Sequence, residues 1–332
     1  NMTEIKVRDA YVRRNTDGQR WTIGTETVQM VFECKESKFR LISFQNKLFN
    51  PQQEYIDEKM ATVPFALEDE KQWALVASSA REVEAGGRPA VQLDLTLMRE
   101  SLRMQFHVLA FPGTPILRQW VEFENTGESP FILKSPAPAS IRLSSDEANS
   151  YVNYWMIGGN SQSNQGKMES ASVTPSYHHK LNGTATLNYV PWMAFQRSTG
   201  PKDGWFIALE YLGKWCLAVD HEASGPTTVS ANIVELESLT LSPGERLELP
   251  MVTLGVFCDN LDNMAKWLYN WQYEYMWDYT HDYWYALMQF LAPWWANSHN
   301  LQEQFAGRLA YLDMDWAEYM RESGLEVLWD DA

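Results

Sequence analysis

The last nine residues of the sequence, 324–332, read Gly-Leu-Glu-Val-Leu-Trp-Asp-Asp-Ala. The glycine ends a helical pattern, and the continuous apolar run Val327-Leu328-Trp329 is typical of a strand buried on both faces. Asp330 and Asp331 follow directly, at the position where α/β barrels place their chemistry. This stretch therefore predicts a strand of a parallel barrel. The chain as a whole reads as the front part of a larger enzyme.

The residues just before this strand predict a strand–helix–strand unit over 288–332. A short apolar strand is expected within 284–297, ending near Trp294-Trp295. Asn300 and Glu303 have the spacing of a capping box, and a helix is predicted from 301 to about 323. One face of that helix is apolar and consists of Leu301, Phe305, Leu309, Leu312, Trp316 and Met320. Because a parallel sheet is covered on both sides, we expect further chain or a second copy to cover these aromatic side chains.

Residues 259–287 predict a helical, aromatic-rich linker. Asp259 or Asn260 can cap its helix. The helix itself is indicated by apolar residues at steps of three and four, namely Leu261, Met264, Leu268, Trp271 and Tyr275.

Residues 1–258 predict a large all-β domain. Apolar and polar residues alternate in Val28–Phe32, in 91–97 and in 102–110, and turn signals such as Asn125-Thr126-Gly127 and Pro243-Gly244 separate the runs. A period of two with a turn about every ten residues is typical of antiparallel sheets packed face to face.

Residues 151–188 interrupt this rhythm and predict a long loop rich in Gly, Ser, Asn and Gln. Tyr151, Tyr154 and Trp155 precede Gly158-Gly159, so the segment either brings aromatic side chains to a neighbouring site or is a plain surface insertion. His178-His179 lies in the same segment. Adjacent residues of a strand point to opposite faces, so we expect two solvated or structural histidines and no shared metal.

Composition excludes several functional classes. The formal net charge is −16, which argues against a nucleic-acid partner. The sequence contains no apolar run of 18 residues, so it predicts no membrane helix. Residues 259–332 hold 13 Asp and Glu against three basic residues, together with eight of the 15 Trp. This composition is typical of sugar sites, in which aromatic rings stack on the apolar faces of a sugar and carboxylates bind its hydroxyls. A helical layer with an acidic outer face and an aromatic core would have the same composition.

Neither a metal nor a cofactor is predicted. The cysteines, Cys34, Cys216 and Cys258, are odd in number and far apart, without the spacing of a disulfide framework or a metal site. Thr3-Glu4-Ile5-Lys6 after Met2 does not resemble a signal peptide, so the expected location is the cytoplasm.

The order of these segments resembles glycoside hydrolase family 36, which contains α-galactosidases and α-N-acetylgalactosaminidases. Residues 115–127 (PILRQWVEFENTG), 189–192 (YVPW) and 203–215 (DGWFIALEYLGKW) resemble parts of the amino-terminal sandwich of that family. Residues 325–331 are similar to its second barrel strand. The resemblance implies a galactose-mutarotase-like β-supersandwich, then the helical linker, then the first strand–helix–strand of an incomplete (β/α)8 barrel.

The resemblance also implies a substrate and its binding residues. In the family, the paired aspartates after this strand bind the C4 and C6 hydroxyls of a galactose-type ring, which assigns substrate binding to Asp330 and Asp331, with Trp329 beside them. The family cleaves with retention, using two carboxyls about 5 Å apart. Both lie on later barrel strands, so no catalytic residue is assigned here. The implied parent is a retaining, exo-acting α-galactosidase-type hydrolase, expected as a homo-oligomer.

Two alternatives stay open. The first is that the parent enzyme has α-N-acetylgalactosaminidase or α-galactosaminidase specificity, because that choice turns on residues around the C2 substituent, which the family carries on later barrel loops. The second is that the chain is a non-catalytic sandwich module that binds glycan or mediates assembly.

Overall fold

A computed structural model describes residues 3–67, 72–144, 150–159 and 163–277, together with 290–291, 308–309, 314–315, 318, 321–322, 324 and 327–328. The chain divides into two compact units, Asn1–Met276 and Trp277–Ala332. Among the described residues, no helix has both the length and the apolar character needed to span a bilayer.

The regular structure of the described part of the first unit is mainly β-strand. In chain order these are β1 (Thr3–Val7), β2 (Ala10–Arg14), β3 (Arg20–Gly24), β4 (Val28–Lys35), β5 (Lys38–Asn46), β6 (Gln53–Glu54), β7 (Ala74–Ala85), β8 (Arg88–Arg99), β9 (Leu102–Ala110), β10 (Ile116–Asn125), β11 (Phe131–Lys134), β12 (Ala139–Leu143), β13 (Tyr151–Ile157), β14 (Met168–Ser172), β15 (His178–Thr184), β16 (Tyr189–Arg197), β17 (Asp203–Leu209), β18 (Lys214–His221), β19 (Thr227–Ile233), β20 (Ser238–Leu241), β21 (Arg246–Glu248) and β22 (Val252–Cys258). A 3-10 turn, Glu58–Met60, follows β6.

These strands form antiparallel sheets of very different size. The first six make a meander in the order β1-β2-β3-β4-β5-β6. Ten strands make the large sheet, in the order β14-β13-β16-β17-β22-β10-β9-β8-β7, with β21 also paired to β10. A four-stranded sheet has the order β12-β19-β18-β15, and β11 pairs with β20. The predicted all-β architecture of this region is therefore confirmed.

One apolar core is continuous across these sheets. The alternating residues predicted to point inward are buried, among them Val28, Met30 and Phe32 of β4 and Phe106 of β9, each with 0% of its surface exposed. The ring of Phe106 packs edge-on against Phe32 and Phe39, with centroids 5.2 Å away in both cases. Alternation thus places one face of each strand in the core, as the period of two requires.

Two buried polar side chains join the six-stranded sheet to the large one. The Asn46 amide donates to the carbonyls of Phe257 at 2.8 Å and Gly204 at 3.3 Å. Arg197 forms an ion pair with buried Asp203, with Nε–Oδ2 at 3.0 Å, and donates to the Glu54 carbonyl at 2.8 Å. Each buried charge therefore has a partner, which keeps the penalty of burying it small.

The large sheet has a second apolar face, and a helix covers it. The helix α1 (Leu261–Trp271) begins at Asn260, whose side chain accepts from the Asn263 N–H at 3.0 Å, and continues as a π-helix, Gln272–Met276. Trp271 and Tyr275 pack on Phe111 of the sheet with centroids 5.4 and 5.1 Å away. The helix predicted from the apolar stripe is present. Asn260 provides its cap.

Neighbouring strands β17 and β22 carry two reciprocal glycine–phenylalanine contacts on this covered face. Gly204 pairs in register with Phe257, and Phe206 with Gly255. A Cβ added to Gly204 would lie 2.2 Å from the Phe257 ring, and one added to Gly255 would lie 2.3 Å from the Phe206 ring. Each ring therefore occupies the space that a side chain on the opposite strand would need.

Residues 151–188 differ from the predicted long loop, because β13, β14 and β15 all lie within them. Several of the small polar residues that suggested a loop do lie in the connection between β13 and β14, but others lie within strands. β14, for example, is the edge strand of the large sheet, and its sequence is Met-Glu-Ser-Ala-Ser. An edge strand with one solvent-exposed face carries polar residues, so its amino-acid composition alone does not distinguish it from a loop.

In the second unit, β23 (Phe290–Leu291) pairs in parallel with β26 (Val327–Leu328). Along the chain between β23 and β26, β24 (Arg308–Leu309) pairs antiparallel with β25 (Met314–Asp315). The prediction of a continuous helix over 301–323 is therefore wrong at these four residues. Asp313 and Asp315 lie inside the range predicted as a helix, and aspartate is a weak residue in a helix interior because its side chain competes for backbone hydrogen bonds.

Replacing Trp271 by Ala tests whether α1 stabilises the large sheet. Trp271 is 2% exposed, so truncation should lower the free energy of unfolding by about 3–5 kcal/mol. Tyr269→Ala is the matched control, because that ring lies on the same helix but is 59% exposed. Urea unfolding of the 332-residue chain measures both. Equal midpoints for the two variants would contradict a stabilising role of the helix.

Candidate functional site

The residues assigned to substrate from the sequence, Trp329, Asp330 and Asp331, lie outside the described residues. What is described is the strand just before them, β26, and its parallel partner β23. Parallel strands end at the same edge of a sheet, so side chains that follow β26 and β23 are predicted to share one edge. The assignment of these three residues stays a prediction.

Two clusters of polar side chains are built around half-buried tryptophans, Trp120 and Trp155. The first, here called the outer-face cluster, consists of Arg81, Asp94, His107, Trp120 and Glu122 on β7 to β10. Cross-strand register brings them together, because Asp94 is paired with His107 and His107 with Trp120. The imidazole stacks on the indole at 4.7 Å with an interplanar angle of 18°. Its Nδ1 lies 2.5 Å from Asp94, and its Nε2 lies 3.3 Å from Glu122.

Electrostatics keep Asp94 ionised. Burial raises the pKa of Asp94, but hydrogen bonds from His107, Gln92 and Arg81 outweigh it and bring the pKa down to about 2. Arg81 Nε lies 3.1 Å from Asp94 Oδ2. The carboxylate thus accepts from several donors at once, the arrangement that lowers a carboxyl pKa most.

The outer-face cluster lacks the order of a nucleophilic triad. Ser79 lies 3.3 Å from Asp94 Oδ2, so the hydroxyl meets the carboxylate and not the imidazole. A triad needs the nucleophile on the imidazole and the carboxylate behind it. The arrangement is an ion-pair network beside a half-buried tryptophan. It orders the outer face of the large sheet.

The second cluster, here called the Trp155 cluster, consists of Asn153, Trp155, Glu169, Tyr177 and His179. The buried Asn153 Oδ1 accepts from the Tyr177 hydroxyl and faces His179 Nδ1, each at 3.1 Å. Trp155 donates its indole N–H to Glu169 at 3.2 Å, and its ring lies 4.2 Å from the imidazole of His179. A half-buried indole is thereby held between an imidazole and a carboxylate.

Burial lowers the pKa of His179, opposed by the charge of Glu169, so the ring is neutral near pH 7. A neutral ring that donates from Nδ1 to Asn153 leaves Nε2 as an acceptor. Burial also raises the pKa of Tyr177 to about 12, which keeps its hydroxyl a donor. The cluster therefore offers an aromatic face with an acceptor nitrogen and a carboxylate beside it.

The two adjacent histidines have different partners. His178 Nδ1 lies 2.9 Å from Asp220 on the exposed side of β15, whereas His179 contacts Asn153 and Trp155. No group of three or more His, Cys, Asp or Glu suited to a metal occurs in the part of the chain that the structure describes. The free thiols of Cys34, Cys216 and Cys258 have raised pKa values because of burial.

Sequence reasoning named Trp155 and His179 but assembled neither cluster, because the members of each cluster come from different strands and connections. Alternation in residues 115–127 does mark Trp120 and Glu122 as outward-facing, since Val121 and Phe123 are core residues. Nothing in the sequence places Asp94 and His107 next to them. That placement depends on the strand register of β8, β9 and β10.

No protein-family model matches the sequence, and no curated protein matches it. Solved structures do match its fold. The galactosidase domain of the α-galactosidase-sucrose kinase AgaSK has a TM-score of 0.76 at 12% identity, covering 97% of this chain and 51% of that one. The α-galactosidase from Lactobacillus brevis has a TM-score of 0.74 at 10% identity, covering 95% and 48%.

A variant of the GH36 α-galactosidase AgaA from Geobacillus stearothermophilus, in complex with raffinose, has a TM-score of 0.70 at 13% identity, covering 100% and 50%. The chain thus spans about half the length of the solved structures that it matches. At such low identity the likeness is one of fold. It matches the amino-terminal part of these enzymes.

Changing Asp94 to Asn tests the outer-face cluster. Because the folded pKa lies below the ordinary value, Asp94 contributes stability above about pH 4, and this is lost as the pH falls towards about 2. The shift corresponds to about 2 kcal/mol. We expect the variant to be less stable by about this amount at pH 7 and to converge with the parent near pH 2. Asp220→Asn, at an exposed pair, is the control, and an identical pH profile for Asp94→Asn and the parent chain would contradict the network.

Proposed function

We propose that the chain is the amino-terminal portion of a retaining, exo-acting glycoside hydrolase that removes terminal α-linked galactose-type sugars. The observation that carries the proposal is the fold match over 95–100% of this chain to three galactosidase structures, of each of which it covers about half. The parallel pairing of Phe290–Leu291 with Val327–Leu328 supports it, because parallel strands are the element of a barrel.

In this proposal Asp330 and Asp331 bind sugar hydroxyls, and Trp329 lies beside the ring. The physical reason is that an ionised carboxylate only accepts hydrogen bonds, whereas a hydroxyl donates. Two adjacent carboxylates therefore select which hydroxyls point towards them. The nucleophile and the acid/base would lie on later barrel strands of the parent, as the family resemblance implies.

The solved structures that share the fold support the choice of substrate class. Variants of AgaA are solved with raffinose and with stachyose. We therefore propose α-galactosides of this kind as the first substrates to test, with a homo-oligomeric, cytoplasmic parent and no nucleic-acid or membrane partner. An α-N-acetylgalactosaminide assayed in parallel distinguishes the alternative specificity.

A second candidate function is a non-catalytic glycan-binding module, and the Trp155 cluster favours it. An indole with a carboxylate and an acceptor nitrogen at its edge matches a sugar, which has an apolar face and hydroxyls around it. Raffinose binding by the 332-residue chain that Trp155→Ala removes would favour this function. Binding that Asp331→Ala removes would favour the hydrolase site.

The 332-residue chain alone is expected to have no glycosidase activity, because the proposal assigns both catalytic carboxyls to later strands. The measurement is release of nitrophenol from p-nitrophenyl α-galactoside. A mock purification from the same host, lacking the chain, controls for contaminating enzyme. Release above that control would refute the assignment.

In the full-length parent, Asp331→Ala is expected to abolish turnover with little loss of stability. Each lost charge-assisted hydrogen bond should cost about 1.5–3 kcal/mol of substrate interaction, whereas a carboxylate at the carboxyl end of a strand does not pack in the core. Steady-state kinetics and thermal unfolding measure the two effects. Asp262→Ala, an exposed carboxylate on α1, is the control. Unchanged kinetics would remove Asp331 from the site.

A further inference from the structure

The large sheet ends in a long edge strand, β7, which pairs with β8 on one side. Its 12 residues make it the longest of the edge strands that the structure describes. Its other side has no neighbouring strand within the described part of the chain. An edge strand presents backbone N–H and C=O groups that can pair with another chain. The free side of β7 is therefore a surface that is suited to strand pairing.

The hairpin turn determines which backbone groups lie on this free side. Ala85 pairs with Arg88 across the two-residue turn Gly86-Gly87, whose φ angles are 56° and 74°. In such a hairpin the two residues beside the turn exchange both backbone hydrogen bonds, and hydrogen-bonded pairs then alternate along the ladder. The ladder is regular from Ala77 to Ala85. Within it the odd-numbered residues therefore bond to β8, and the even-numbered residues direct their N–H and C=O groups to the free side.

Charge is distributed unevenly along β7. Residues 74–80 read Ala-Leu-Val-Ala-Ser-Ser-Ala and contain neither a charged residue nor a proline. The charged residues Arg81, Glu82 and Glu84 all lie in the part next to the turn. Charges and proline are the usual protection of an edge strand against pairing with another chain. Only the part of β7 near the turn has this protection.

The sequence of β7 is self-complementary about one position. Two antiparallel copies of an edge strand can pair about a two-fold axis. An axis at Ala80 places Ser78 opposite Glu82 of the second copy and Ser79 opposite Arg81 of the second copy. A hydroxyl then meets each charge. An axis at Arg81 or at Glu82 would place like charges face to face, which is destabilising. An axis nearer to the start of β7 would extend beyond the regular ladder, which begins at Ala77.

We propose that β7 pairs with the β7 strand of a second copy of this chain, antiparallel and about a two-fold axis at Ala80, so that two large sheets become one continuous sheet. Ala80 is one of the residues whose backbone groups lie on the free side, so the central pair exchanges two hydrogen bonds. Because β8 already orders β7, pairing costs little conformational entropy. This inference rests on the homo-oligomeric parent proposed above and names its surface.

Sedimentation equilibrium of the 332-residue chain tests the proposal. We expect a monomer–dimer equilibrium within a concentration range of about 1–100 μM. Ala80→Pro removes an N–H group from the free side of each copy and no hydrogen bond to β8, and edge strands accept proline at such positions. It should weaken the dimer at least about tenfold. Ala80→Ser is the control, because it keeps the N–H group and nearly the same size.

An exchange of side chains tests the register. Ser79→Arg places an arginine opposite Arg81 of the second copy, so like charges should weaken the dimer. The double variant Ser79→Arg, Arg81→Ser restores an arginine–serine pair and should return the dissociation constant to that of the parent chain. Both side chains are exposed, and both contact Asp94 in the structure. Circular dichroism and the urea midpoint check that each variant is folded.

A chain that stays monomeric throughout the concentration range would overturn the proposal and leave the edge to a different partner. A dimer that Ala80→Pro weakens no more than Ala80→Ser would assemble through another surface. A double variant as weak as Ser79→Arg alone would exclude the axis at Ala80. No sugar is present in these measurements, so each of these results leaves the proposed galactoside site to its own kinetic tests.

Discussion

The central constraint on this structure is that a ten-stranded sheet with apolar residues on both faces has to be covered twice. One face packs in the core shared with the other sheets. The other face is apolar where Phe111, Ile116, Phe206 and Phe257 lie. Trp271 of α1 and Tyr275 of the following π-helix pack on this part of the sheet and are buried with it. Burying a large aromatic removes about 150–250 Å² from water. The helix is therefore part of the sandwich and more than a connection.

Arg118 lies between the apolar and the polar part of the face of the large sheet that α1 covers. Its guanidinium lies 5.2 Å from the Trp271 ring and 5.5 Å from the Phe111 ring, while its Nε pairs with Glu210 at 2.8 Å. It also contacts Met276, at the end of the π-helix. Cation–π contacts and an ion pair thus act on one side chain. Beyond it the face is polar and carries the outer-face cluster.

Local patterns in the sequence predicted the strands and the helix, because burial on one face imposes a period that can be read directly. Val28, Met30 and Phe32 show a period of two, and Met264, Trp271 and Tyr275 show the helical spacing. The strands within 151–188 were not recognised, since exposed edge strands have the composition of loops. The outer-face cluster depends on the register between the consecutive strands β8, β9 and β10, which no local period encodes. The Trp155 cluster depends on the register of β13 and β14 and on contacts with Tyr177 and His179. Trp329, Asp330 and Asp331 rest on the family resemblance, and their role is proposed on that basis.

The reciprocal contacts between Gly204 and Phe257 and between Gly255 and Phe206 have an evolutionary consequence. Each ring fills the space of a missing side chain on the next strand, so a larger residue at either glycine is tolerated only if the facing ring becomes smaller. Substitutions at these four positions are therefore expected to occur together within each pair, Gly204 with Phe257 and Gly255 with Phe206. Relatives that share only about a tenth of their residues with this chain would then be recognised better by that covariation than by sequence identity.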